Sequence, residues 1–195
     1  MMDTVRVVLA DKDDFFRKNL KESLSRYGYL VVGDAEDGMT ALKLIRGLQP
    51  DLIILDATLP VMDGIQVARV VDEGRLAPVV LLADYVDRDF VNREKGELAV
   101  PVLMKPVDEA ALQATVEFAV SAFNRVVKLE KEVEKLRGDL ETRKAVEKAK
   151  GILMRTQGIA EQEAFRRLQQ QSMKKRTSMK AIAEAVILAN EIGKG

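Results

Sequence analysis

Cysteine, histidine and tryptophan are all missing from this 195-residue chain. Without cysteine there is no disulfide, zinc ribbon or thiol nucleophile, and the redox compartment goes unread. Without histidine, imidazole acid–base catalysis and histidine metal ligation are excluded. The last of five prolines is Pro106, so no fixed φ interrupts a helix anywhere beyond it. Long apolar runs are lacking too. No stretch approaches a membrane span, and "MMDTVRVVLA" has no apolar core long enough for a signal peptide. A soluble cytoplasmic protein with no membrane partner is expected.

What is present is 47% hydrophobic residues, enough for a real core, and a formal net charge of zero. That zero is an average of two unlike halves. Residues 1–142 carry 19 Lys and Arg against 26 Asp and Glu, a net −7, and residues 143–195 carry 12 against 5, a net +7. An acidic half joined to a basic half suggests two tasks, one of them the binding of a polyanion.

Over the first 125 residues short apolar runs alternate with amphipathic stretches. Segments 5–10, 30–35, 52–56, 79–83 and 100–104 are rich in consecutive Val, Leu and Ile, as strands covered on both faces should be. Segments 14–27, 39–48, 64–72, 88–96 and 108–123 have helical spacing. Five βα units predict a doubly wound parallel sheet with helices on both faces, and ligands of such sheets bind at the carboxyl ends of the strands. Asp11 follows the first run, Asp56 ends the third and Lys105 follows the fifth, so all three should converge at one edge. A single acid there would read as a helix cap or loop residue. Three converging charges read as a site.

The strings "DLIILDATLPVMDGI" and "LMKP" (103–106) closely resemble the receiver domain of two-component response regulators, over roughly residues 4–125. The resemblance implies a flavodoxin-like sheet in the order 2-1-3-4-5, Asp56 as phosphoacceptor, Lys105 as the lysine that pairs with the acyl phosphate, and a sensor histidine kinase as partner. It also implies Mg²⁺ held by Asp11, by Asp56 and by the carbonyl of Thr58. In that chemistry a carboxylate attacks phosphorus in line while cations neutralise the equatorial oxygens.

Three positions depart from the family pattern. In "VVLADKDDFF" (7–16) Lys12 falls where the second, more direct metal acid is expected. Ala83 falls at the switch Ser/Thr, and Val102 at an aromatic position. An ammonium for a carboxylate changes local charge by two units, and one unit charge at ~4 Å is worth about 4 kcal/mol at an effective dielectric near 20. Mg²⁺ should therefore bind weakly unless Asp13 or Asp14 swings in, and Lys12 is expected to pair with Asp56 in place of the metal. Without a hydroxyl at Ala83, coupling from the site to the distal surface should be blunted, giving an atypical, phosphorylation-impaired receiver.

Beyond the receiver, Ala119, Ala122, Val126, Leu129, Val133, Leu136 and Leu140 recur at alternating intervals of 3 and 4, a heptad seam flanked by charges as in "KLEKEVEKLRGDLE". A helix leaving the receiver and pairing with a second copy is expected, with Gly138 as a flexible point; one face of a helix packed on its own domain is the alternative. The predicted division is a receiver at 1–122, a coiled-coil linker at 123–142 and a three-helix domain at 143–195. Its first helix continues from the coil to about Thr156, with Gly158 at the C-cap. A second helix spans about 161–173, and a third, capped by Thr177 or Ser178, runs to about Glu191. Phe165 is expected in the core with Val146, Ala149, Leu153, Ala164, Leu168 and Ile182.

Between Arg143 and Lys180 stand eleven Lys or Arg and three Glu. The string "KAVEKAKGILM", with Ala164, Phe165 and the later "MKKR", resembles the ANTAR domain of bacterial transcription antiterminators of the AmiR and NasR type, over roughly 135–190. That resemblance implies binding of paired hairpins in mRNA leaders, with Arg143, Lys144, Lys148, Lys150 and Arg155 lining one surface and Lys174, Lys175, Arg176 and Lys180 flanking it. Gly151 would serve close backbone approach or helix packing, and Ala160 replaces the usual capping Ser/Thr. Two other readings stay open: a DNA-binding regulator using a helix-turn-helix, and a protein-interaction module with an incidental basic patch. No nucleophile–base pair points to an enzyme.

Overall fold

The computed structural model of the chain describes residues 4–96 and 98–192. Five strands, β1 (Arg6–Ala10), β2 (Leu30–Ala35), β3 (Leu52–Asp56), β4 (Val79–Ala83) and β5 (Val102–Met104), form one parallel sheet in the order β2-β1-β3-β4-β5. Between them run α1 (Asp14–Arg26), α2 (Gly38–Leu48), α3 (Gly64–Glu73), a 3₁₀ turn at Tyr85–Asp87 and α4 (Arg88–Lys95). Then follow α5 (Glu109–Gln157), α6 (Glu161–Lys175) and α7 (Met179–Ile192).

The apolar runs work as their composition requires. Alternate residues of one strand point to opposite faces, so Val8, Ile53, Leu55 and Leu81 join α2, α3 and α4 in one core, while Val7, Leu9, Ile54, Val80 and Leu82 meet α1 and the first turns of α5 in another. Each fully buried Val, Leu or Ile contributes about 1.5–3 kcal/mol, and both faces are covered. Two boundaries differ from expectation. β5 begins two residues late because Pro101 has no N–H for the ladder, although its carbonyl still accepts from Leu81 N. α5 runs unbroken through Gly138, whose surroundings are open and whose carbonyl accepts a bond from the Thr142 hydroxyl.

The chain divides into two compact units between Val127 and Lys128. In the second, Val146, Ala149, Leu153, Ala164, Leu168, Ile182 and Ala183 make a small core. Phe165 is not in it; the ring stands 44% exposed. Gly158 ends α5 at φ 65° with its N–H on the Met154 carbonyl, Ala160 gives α6 no side-chain cap, and the Ser178 hydroxyl accepts from Ala181 N at the start of α7. Among the described residues no helix is long and apolar enough to cross a membrane.

Candidate functional site

Parallel register places Ala10 opposite Leu55 and Asp56 opposite Leu82. One residue further along β1, Asp11 therefore emerges beside Asp56, and both side chains are fully buried. Lys105, one residue past β5 and followed by a cis peptide to Pro106, is tied to β4 by its N–H on the Ala83 carbonyl. Its Nζ lies 2.6 Å from Asp56 Oδ2 and 2.7 Å from Asp11 Oδ2, and 4.5 Å above the Phe16 ring. The Asp56 contact is a hydrogen bond. The Asp11 contact is an ion pair whose angles fall short of one, so Asp11 Oδ2 is buried without a hydrogen bond. The three expected charges do converge.

The expected Lys12–Asp56 pair does not form. Lys12 Nζ donates instead to the Thr58 hydroxyl at 2.7 Å, and that hydroxyl donates to Asp56 Oδ1 at 3.0 Å. Thr58 N–H also donates to Asp56 Oδ1, at 2.7 Å. The reason is local: the turn after β3 folds the Thr58 side chain back over the carboxylate, between the two longer groups. Asp13 and Asp14 have not swung in. Asp13 caps α1 by accepting from Phe15 N and Phe16 N, and Asp14 pairs with Lys18 and Arg17. Ala83 is buried among apolar neighbours and brings no hydroxyl. Val102 is likewise packed against that core. Sequence reasoning missed the Thr58 hydroxyl, Phe16 and Asp84; the last two line a cavity of about 370 Å³ with Lys12, Asp13, Lys105 and Pro106.

Burial works against ionisation of Asp56, but the Lys105 ammonium and the Thr58 donors outweigh it and hold its carboxyl below the usual carboxylate range. For Asp11 burial wins over Lys105 and the Asp13 N–H, and its carboxyl is pushed up. Burial works against the charge of Lys105, but its ion pairs with Asp11 and Asp56 outweigh it and hold it above its ordinary value.

The close approach of α3 to this site is fixed by Gly64. A Cβ there would sit 1.9 Å from the Asp56 carbonyl oxygen. At Val61 the same loop carries a β-branched residue at φ 67°, in a tight turn where Met62 N donates to the Pro60 carbonyl. Such a residue in the left-handed region stores about 1–3 kcal/mol of strain, which is typical beside functional sites.

The residues present do not fit a divalent cation well. Mg²⁺ asks for near-octahedral oxygen ligation, yet the Lys12 ammonium occupies the neighbourhood of Thr58 and Lys105 already bridges the two buried carboxylates. Among the described residues no group of three or more acids is placed to hold a metal.

In the second unit, Lys144, Lys148, Gly151 and Arg155 follow each other at intervals of 4, 3 and 4 along α5 and so share one face. The three cations are exposed, and a Cβ at Gly151 would meet nothing within 4 Å. Helix packing inside this unit therefore does not explain the glycine. Lys148 pairs with Glu191 and Lys144 weakly with Glu141, while Arg143 and Arg155 carry no ion pair among the described residues. Lys150 stands apart from the row. It is 7% exposed, with its Nζ 2.6 Å from Glu161 and 2.8 Å from Glu147. Lys174, Lys175 and Arg176 end α6, about 20 Å along its axis from Glu161 at 1.5 Å per residue. Lys180 is half-buried on α7 beside Glu184.

Residues 7–117 match the response regulator receiver domain family, and residues 134–187 match the ANTAR domain family. Transcriptional regulatory protein PdtaR of Mycobacterium tuberculosis is 41% identical over 182 residues, covering 93% of this chain and 89% of its own length. The solved receiver domain of the response regulator NarL from the same species superposes with a TM-score of 0.53 at 31% identity, over 62% of this chain and 97% of that one. A protein-glutamate methylesterase of Haloarcula marismortui, 32% identical, matches over 58% of this chain but only 31% of its own length.

Proposed function

Since the chain belongs to the response regulators, carrying a receiver domain and an ANTAR domain, we propose that it is a transcription antiterminator that binds hairpins in mRNA leaders. The observation that carries this reading is the exposed row Lys144–Lys148–Arg155 with open helix backbone at Gly151. Ammonium and guanidinium groups at that spacing grasp stem phosphates, and a helix face without a side chain lets a base or sugar approach closely. Loop bases are the readable part of a folded RNA, and the exposed Phe165 ring offers a surface on which one could stack. The similarity to PdtaR, a transcriptional regulatory protein, supports the same reading.

On this reading residues 1–122 receive the signal, 123–142 form the linker helix and 143–195 bind RNA. Two copies pair through Val126, Leu129, Val133, Leu136 and Leu140, all of them exposed along α5. Asp56 is the phosphoacceptor for a sensor histidine kinase and Lys105 its pairing lysine, in a receiver that is impaired by Lys12 and Ala83. Mg²⁺ is at most a weak ligand. The protein works in the cytoplasm and is not an enzyme.

The test is a binding titration of the full chain with a synthetic RNA carrying two stem–loops and with duplex DNA of equal length. Tighter RNA binding is expected. Tighter DNA binding would replace this reading with a helix-turn-helix regulator, and binding of neither with a protein-interaction module.

A further inference from the structure

We infer that the Lys12 ammonium, relayed through the Thr58 hydroxyl, is a built-in replacement for the divalent cation, so that this receiver excludes metal and is folded and charge-balanced without it. Receiver domains in general bind Mg²⁺, which makes the exclusion a property of this chain's own residues.

Four charged groups make up the core of the site. Asp11 and Asp56 are fully buried carboxylates; Lys105 bridges them at 2.7 and 2.6 Å, and Lys12 reaches Asp56 through one hydroxyl, by contacts of 2.7 and 3.0 Å. Two negative and two positive charges sum to zero. Buried charge is tolerated only when paired; Lys105 pairs both buried carboxylates, and the exposed Lys12 adds its charge from the rim of the site. A divalent cation entering beside Asp56 and Thr58 would leave a surplus of two positive charges around the two buried carboxylates, with the exposed Lys12 ammonium at the rim. One unit charge at ~4 Å and an effective dielectric near 20 changes a binding constant about a thousandfold.

Asp13 and Asp14 do not offset that surplus. Asp13 is engaged by two backbone N–H groups at the start of α1, and Asp14 is exposed and paired with Lys18 and Arg17. Asp84 lines the outer cavity with Lys12 and Asp13. The Thr58 hydroxyl is the pivot: its oxygen accepts from Lys12 while its proton goes to Asp56, so the charge of Lys12 polarises the group that holds the phosphoacceptor carboxylate.

The experiment compares the full chain with Lys12→Asp and Lys12→Gln by Mn²⁺ binding, read from the loss of the free-ion electron paramagnetic resonance signal, and by thermal melting in EDTA against excess Mg²⁺. The wild-type protein should take up no Mn²⁺ at the receiver and melt at the same temperature in both buffers. Lys12→Asp should bind one Mn²⁺ at least about a hundredfold more tightly, melt lower in EDTA and recover with Mg²⁺, and Lys12→Gln should fall between. Should Lys12→Asp prove unfolded in EDTA, the Lys12→Gln affinity decides alone. Equal Mn²⁺ affinity in wild type and variants, whether present in all or absent from all, overturns the inference. None of these readouts depends on RNA.

Discussion

Lys150 Nζ lies 2.6 Å from the Glu161 carboxylate, joining α5 to the first turn of α6. A second contact, to Glu147, holds the side chain almost out of solvent. Both acids raise the lysine above its ordinary value, Glu147 foremost, and Lys150 lowers Glu161 in turn. The residue thus ties the second unit together and is removed from the cationic row. Lys150→Met should lower the melting temperature while leaving the salt dependence of RNA binding unchanged, whereas Lys148→Met should reduce that dependence by about one phosphate contact and leave melting alone. Thermal scans and titrations at several salt concentrations measure both.

Gly64→Ala tests how α3 holds the strand end at Asp56. The new methyl meets the Asp56 carbonyl oxygen, backbone against which no rotamer can retreat. A loss of about 1–3 kcal/mol or more is expected in urea unfolding. Gly151→Ala, in open space, should cost nothing measurable in stability.

The acids of the receiver site give opposite pH signatures. Asp56 is held down by Lys105 and Thr58 against burial, so it stabilises the fold fully above the unfolded carboxylate value near 3.9, and that contribution disappears as pH falls through its lower folded value. Asp11 is pushed up by burial, so the folded protein takes its proton first and stability rises as pH falls from that raised value toward about 3.9. Asp56→Asn should flatten the acid limb below about pH 4, and Asp11→Asn should remove the gain above it. Urea titrations from about pH 2.5 to 6 resolve the two limbs.

Much of this was legible in the sequence, and the misses share a cause. Continuous Val, Leu and Ile runs announced strands covered on both faces, and Asp11, Asp56 and Lys105 stand at strand ends because the register puts them there. Side-chain partners across the fold were not legible. Lys12 was expected on Asp56 because spacing is blind to a threonine hydroxyl folded between them. Lys150 counted as one cation among eleven, since a charge tally cannot see Glu161 arriving from the next helix. Phe165 read as core from the helical spacing of apolar residues, yet of the adjacent pair only Ala164 faces inward.

The seam on α5 is exposed at every step from Val126 to Leu140, with Leu136 at 60%. Leu136→Glu should weaken self-association by about 3 kcal/mol or more, one leucine lost from each copy. Sedimentation equilibrium reads this directly; a wild-type monomer at micromolar concentration would contradict pairing through this face.

The central claim is that the row Lys144–Lys148–Arg155 grips RNA. Replacing all three with Glu in the full chain and titrating the two-stem–loop RNA at several salt concentrations tests it most directly, with melting confirming the fold. The account predicts an affinity at least about a hundredfold lower and a salt slope reduced by roughly two to three. Unchanged affinity and slope in a folded variant would contradict it.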